Sequence, residues 1–267
     1  MTFDAKSYQK YEFFTIEEIE PGFIHVKYTN PKSLNAFTEQ NWRDYGDILT
    51  RLDKEEDSQL ILISSGVERS FSSGLNLKTA MEQIKSSNTT SEKEAIKQLY
   101  DHIIDFQNAV TVPTRINTPT IGILNGINYG LALDLASAFS IRIGVEGARF
   151  SIAEVNIGIT ADMGSLQRLP HIINNKSALY QHALLGDVFD VHEAYRLGYV
   201  STVVKSVDEG IQLAKEWGEK IVGHPQWAIK GTKKCIQDQL DGVNHEAGLK
   251  QIADYNAVNI TRNSMKL

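Results

Sequence analysis

One cysteine, six prolines and no long apolar run set the first limits on this 267-residue chain. A single thiol, Cys235, excludes an intrachain disulfide and any thiolate metal cluster. Its setting, Ile229-Lys230-Gly231-Thr232-Lys233-Lys234-Cys235, is helical in character and points to a structural role. No stretch approaches the ~20 apolar residues of a membrane-spanning helix, so no span is expected. A net charge of -6 gives no positive excess for a nucleic-acid surface. The opening Met1-Thr2-Phe3-Asp4-Ala5-Lys6-Ser7 has neither the apolar core of a secretory signal nor the arginines of a mitochondrial presequence. There is no Cys/His cluster and no nucleotide-binding glycine fingerprint, so neither a metal nor a redox cofactor is expected.

What is present is an ordinary enzyme composition, 42% hydrophobic and 22% charged, within the size of one large α/β domain. Phe13 to Tyr28 alternates around Glu20-Pro21-Gly22 and predicts a β-hairpin, with His25 facing out. Thr38 is a plausible N-cap for a helix to Leu52 carrying Trp42, Tyr45, Ile48, Leu49 and Leu52 on one stripe. Leu60 to Gly66 and Pro119 to Gly126 read as strands buried on both faces that run into turns. A polar tract, Lys85 to Ser91, precedes a helix to Val110. The pattern then predicts a helix over 129–138, a strand over 140–143 and a turn at 144–147. Arg149-Phe150-Ser151 forms the next segment, and Asp190 to Ala194 reads as an N-cap with a capping box. Helices joined by short loops follow. Lys230, Lys233 and Lys234 read as a solvated helical face.

Three carboxylates sit in apolar company. Asp134 interrupts Tyr129-Gly130-Leu131-Ala132-Leu133-Asp134-Leu135-Ala136, where a charge is costly to bury. Glu154 follows Phe150-Ser151-Ile152-Ala153, and Asp162 lies in a loop punctuated by Gly158 and Gly164, where an Asp is often a helix cap. Converging in one pocket, such acids repel, so at least one holds a raised pKa and proton exchange with a carbon acid becomes feasible. Ser72-Ser73-Gly74-Leu75-Asn76-Leu77 and Asn125-Gly126-Ile127-Asn128-Tyr129-Gly130-Leu131 both follow buried strands. Two such turns can aim one N–H each at a single point, as an oxyanion hole requires.

These segments, in their order, resemble the enoyl-CoA hydratase/isomerase (crotonase) superfamily along nearly the whole chain. The resemblance rests on Asn30-Pro31 with Leu34-Asn35-Ala36, on Phe71 to Leu77, and on Pro119-Thr120-Ile121 with Asn125-Gly126. It continues through Ala148-Arg149-Phe150, Glu154-Val155, Gly158-Ile159, Gly164 to Leu169, and Ala194 to Val200. The string Ile159 to Pro170 is closest to the Δ3,5-Δ2,4-dienoyl-CoA isomerases. The implied fold is α/β, a repeated ββα superhelix with a C-terminal helical region. Residues 1–200 are the core with the acyl-CoA site. Residues 201–267 complete the same domain and supply a trimer contact.

For the site, the resemblance implies oxyanion N–H groups at Leu75 and Leu131 and catalytic acids at Glu154, Asp162 and Asp134. It implies substrate contacts at Ser33, Leu34, Ala36, Ser73, Gly74, Leu77 and Gly130. The expected ligands are acyl-CoA thioesters, with coenzyme A part of the substrate and no cofactor besides, and the expected assembly is a homotrimer or a dimer of trimers. The expected reaction is isomerisation of 3,5-dienoyl-CoA to 2,4-dienoyl-CoA. Enoyl-CoA hydration, Δ3,Δ2-enoyl-CoA isomerisation and a non-catalytic binding role are the alternatives. Two departures stand out. Asn76 replaces an acid common in the family, and Leu131 and Ala132 replace glycines after Gly130, adding Cβ atoms that narrow the pocket. The terminal Met265-Lys266-Leu267 resembles a Ser-Lys-Leu peroxisomal address with Met in place of the small residue. A peroxisomal location and the import receptor as a partner are therefore expected, with the cytoplasm as fallback.

Overall fold

The computed structural model describes residues 2–80 and 91–264. The polar tract's residues 85–90 and the terminal Met265-Lys266-Leu267 lie outside the described residues. Ten strands form two sheets among the described residues. Strands β1 (Phe14–Glu20), β2 (Phe23–Tyr28), β3 (Leu60–Ser65), β5 (Thr120–Leu124), β7 (Ile141–Val145) and β10 (Thr202–Val204) make a six-stranded sheet in that order. The strands β4 (Ser70–Ser72), β6 (Ile127–Tyr129), β8 (Arg149–Ser151) and β9 (Phe189–Asp190) make a second sheet. Each successive pair, β3/β4, β5/β6 and β7/β8, contributes one strand to each sheet. The chain therefore climbs as a repeated ββα superhelix, and all ladders are parallel except the β1–β2 hairpin and β8–β9.

Burial explains why the large sheet reads as continuous apolar runs. Ile24, Val26, Ile61, Ile63 and Leu124 face one core together with α1 (Glu39–Leu52) and α2 (Glu92–Val110). The alternate positions Phe23, Leu60, Leu62, Ile121, Ile123 and Ile143 face a second core. A later helix (Val207–Val222) lies against the sheet there, contributing Ala214 to that core. With period-two side chains, both faces need apolar residues. Thr38 caps α1 as expected, its hydroxyl accepting from Asn41 N–H while the Asn41 side chain accepts from Thr38 N–H.

Several expectations need correction. His25 does not face out: it is 3% exposed and bonded to Ser64 Oγ at 2.7 Å, because β2 is an internal strand covered on both sides. Burial, aided by Lys27 and Lys215, pushes its pKa down to about 4. The apolar helix is shorter than 129–138. It runs over Leu131–Ser137 (α3), since Ile127–Tyr129 pairs as β6 in the small sheet. Gly144 and Val145 belong to β7 rather than to the turn. Asp190 caps the helix Val191–Arg196, but the Glu193 side chain pairs with Arg196, so no capping box closes.

Lys233 departs furthest from a solvated face. Its Nζ donates to the carbonyls of Pro113, Ile116 and Thr118 at 2.8, 2.6 and 2.9 Å, and burial pushes its pKa down to about 8. The lysine clamps the helix Gln226–Leu240 onto residues 113–118, the end of a short helix and the loop that leads into β5. Its neighbour Lys234 stays at the surface, paired with Asp238. Among the described residues, no helix is long and apolar enough to cross a membrane.

Candidate active site

The two glycine turns meet. Gly74 has φ +100, and a Cβ there would come within 2.7 Å of the Tyr129 carbonyl and 3.6 Å of Leu131 N. A side chain would force the turns apart, so the close approach needs glycine at a backbone angle that favours it. Leu75 forms a parallel bridge with Phe37 through its neighbours: Phe37 N–H donates to Gly74 O, and Asn76 N–H to Phe37 O. Strand alternation turns Leu75's own N–H the other way. Leu131 opens α3, where first-turn N–H groups have no partner within the helix. Gly130 (φ +54, ψ -118) precedes it, anchored by its N–H to the Ser151 carbonyl at 2.9 Å.

The carboxylates gather around this turn. A Cβ on Gly130 would lie 3.1 Å from Glu154 Oε1, which places the Glu154 carboxyl directly against the turn. Its other oxygen, Oε2, is buried with no hydrogen-bond partner. Burial, then the charges of Asp134 and Asp162, push the Glu154 pKa up to about 7. Asp134, 1% exposed on α3, accepts the Ser165 N–H at 2.6 Å. Burial raises its pKa, opposed by Ser165 and the charge of Arg168. Asp162 is half-buried and also raised by burial. It does not cap the helix Ser165–Ile172 (α4), whose N-cap is Gly164. Instead its carbonyl accepts from Gln107 Nε2 of α2 at 2.6 Å.

Several residues expected to contact substrate lie in these turns or are bonded to them. Ser73 bonds both Ser33 and Leu34 carbonyls, at 3.0 Å each, tying the loop after β2 to the first glycine turn. Leu34 and Asn35 hold left-handed φ of 52 and 59. Ala36 is buried, and its N–H and carbonyl are taken up by Ser33 and Tyr28, so it lends no free polar group. Leu77, 40% exposed, starts the helical residues 77–80. Asn76 caps that turn, its Oδ1 accepting from Thr79 N–H at 3.3 Å. The supports Asn35, Gln107, Ser165 and Arg168 were not anticipated. Asn35, fully buried, donates to Tyr28 O, Ser65 Oγ and Phe71 O and so knots the loop to both sheets.

Parallel ββα layers joined at two glycine turns, with three acids close to the second, define a crotonase-type fold. The sequence model described as enoyl-CoA hydratase/isomerase matches residues 18–266, and the chain belongs to that family. It is 31% identical to a peroxisomal Δ(3,5)-Δ(2,4)-dienoyl-CoA isomerase of Arabidopsis thaliana over 94% of this chain and 90% of that protein. It is 28% identical to the mitochondrial Δ(3,5)-Δ(2,4)-dienoyl-CoA isomerase of Mus musculus over 84% of this chain and 68% of that one. A crystal structure of an enoyl-CoA hydratase from Bacillus anthracis superposes with a TM-score of 0.80 at 22% identity, covering 92% and 90% of the two chains.

A raised carboxylate pKa carries a stability consequence. Between 4.5, the ordinary glutamate value, and about 7, folded Glu154 binds more proton than unfolded Glu154. The stability this gives is complete below the unfolded value and is lost as pH rises through the folded one. Glu154→Gln is therefore expected to be more stable than wild type at pH 8, by on the order of 3 kcal/mol. The difference should close near pH 4, and urea unfolding at both pH values measures it.

Proposed function

We propose that the chain isomerises 3,5-dienoyl-CoA to 2,4-dienoyl-CoA in fatty-acid β-oxidation. The observation that carries this reading is Glu154 Oε1 against Gly130, beside the Leu131 N–H. A thioester oxygen held by the Leu75 and Leu131 N–H groups would set the substrate's C2 near that carboxyl. Loss of one such donor typically costs ~2.7–4 kcal/mol of transition-state stabilisation. Glu154, poised near neutrality, removes a proton from C2. The C2–H pair becomes the C2–C3 double bond, the C3–C4 double bond shifts to C4–C5, and the C5–C6 pair takes a proton from neutral Asp162 at C6. Asp134 tunes the pair through its charge. Both protons pass through side chains of this chain, and coenzyme A enters only as part of the substrate.

The comparisons support an isomerase or hydratase of this family, and the third acid favours the diene reaction. A Δ3,Δ2 isomerase needs one main acid-base carboxylate and would leave Asp162 without a role. Identity to named dienoyl-CoA isomerases supports the same choice. Assembly as a homotrimer, or as paired trimers, is supported by exposed Tyr180, Leu184, Leu185 and Val188, each more than half exposed. A peroxisomal location, reached through the import receptor, is supported by the peroxisomal relative.

Asp162→Asn is expected to lower dienoyl-CoA turnover ~10²-fold or more while acyl-CoA binding persists, the scale of a positioned general acid. Glu154→Gln should fall at least as far, and Asp134→Asn less. Ultraviolet absorbance reads the result, since the 2,4-dienoyl thioester absorbs at longer wavelength and hydration abolishes conjugation. Near-wild-type turnover by D162N sinks the assignment. Light scattering should give a trimer or hexamer, and a monomer at micromolar concentration refutes the assembly. Deleting residues 265–267 should move a tagged, organelle-located protein to the cytosol; an intact protein already cytosolic refutes the address.

A further inference from the structure

Arg168 reaches from α4 back to α3 beneath the acids. Its Nη2 donates to the carbonyls of Asp134 at 2.7 Å and Met163 at 3.0 Å. Its Nε donates to Ser137 Oγ at 2.9 Å, and that hydroxyl donates to the same Asp134 carbonyl at 2.9 Å. Gly164 leaves the room: a Cβ there would lie 2.2 Å from Arg168 Nη1. One side chain thus fastens α3 to the turn that carries Asp162 and supplies the Ser165 N–H to Asp134.

We propose, resting on the reading that these three acids transfer the protons, that Arg168 is the positioning residue of the site. It joins the two turns and sets a fixed positive charge against Asp134, so that Glu154 works beside an ionised neighbour. A guanidinium suits both tasks, since it stays charged when buried and its fork bonds several acceptors at once. Arg168 interacts electrostatically with Asp134, Tyr45, Tyr199 and Asp241. Arg142 bears on Tyr199 from β7. Tyr45 and Tyr199 hydroxyls are buried without partners, and burial raises both pKa values, so they stay neutral. Asp241 follows the helix Gln226–Leu240 as its C-cap. Asp134 is the acid to which the site's geometry ties the arginine most directly, and Asp134 in turn raises Glu154.

Two variants separate charge from bonding. Arg168→Gln removes the charge and keeps amide donors, whereas Arg168→Lys keeps the charge and loses the fork. Carboxyl ¹³C NMR titration of the ligand-free protein reads the Glu154 midpoint, and the pH profile of kcat/KM reads its acidic limb. In R168Q, Asp134 takes up a proton more readily, and the Glu154 midpoint and acidic limb should both move down by about one unit. In R168K both should stay at their wild-type positions while kcat falls. An R168Q midpoint equal to that of wild type, or an R168K midpoint displaced downward, overturns the proposal, since a merely structural arginine lowers kcat and moves neither midpoint. If R168Q does not fold, Arg168→Met, which fills the space without a charge, takes its place in the same titration, with the same downward shift expected and an unmoved midpoint overturning the proposal. The titration needs no substrate, so a wild type without dienoyl-CoA turnover refutes the functional reading while the NMR comparison still judges Arg168.

Discussion

A carboxylate taken out of water must find donors, find a counter-charge or take up a proton. The wall between α3 and α4 imposes that choice on three acids, and the surroundings resolve it differently for each. Asp134 finds the Ser165 N–H and the field of Arg168. Glu154 keeps one oxygen with no partner and is pushed toward neutrality. Asp162, only half-buried, is raised by burial alone among the opposing influences on it. Burial raises all three, each against or with different neighbours, and under the proposed reaction these are the carboxyls that would hold and release the protons.

The rest of the fold serves the approach of backbone to those acids. Parallel strands of the large sheet end in turns whose next strands form the small sheet, and that corner brings Gly74 beside Tyr129 and Leu131. Both turns are held by rigid elements: Leu75 by the Phe37 bridge, and Leu131 by α3, anchored through Gly130 to β8. Under the proposed reaction, N–H donors fixed in this way would need little reorganisation as charge develops on a thioester oxygen. The unpartnered Glu154 oxygen and the crowding of acids make the site a local source of instability that the two apolar cores must offset.

Local signals carried most of the architecture. Alternation marked the β1–β2 hairpin, continuous apolar runs marked β3 and β5, and Thr38 marked the start of α1. Asp134 and Glu154 were visible as acids in apolar company, and glycine spacing marked both turns. What stayed hidden depends on contacts between distant segments. His25 looks half-exposed until a helix nearly 200 residues later closes over its sheet. Lys233 looks solvated beside Lys230 and Lys234, because its acceptors are three carbonyls more than 110 residues away. Arg168 lies within the segment Gly164 to Leu169, yet only the folded chain shows its guanidinium beneath Asp134. Tyr129 reads as helix by hydrophobicity, and pairing with β4 and β8 makes its segment a strand.

The most direct measurement runs the reaction of a 3,5-dienoyl-CoA in heavy water and locates deuterium in the product by NMR. Delivery from a solvent-equilibrated Asp162, with Glu154 working at C2, places one deuterium at C6 of a 2,4-dienoyl-CoA in the first turnover. Deuterium at C4 of a 2,5-diene, or a hydroxyl at C3, would contradict it.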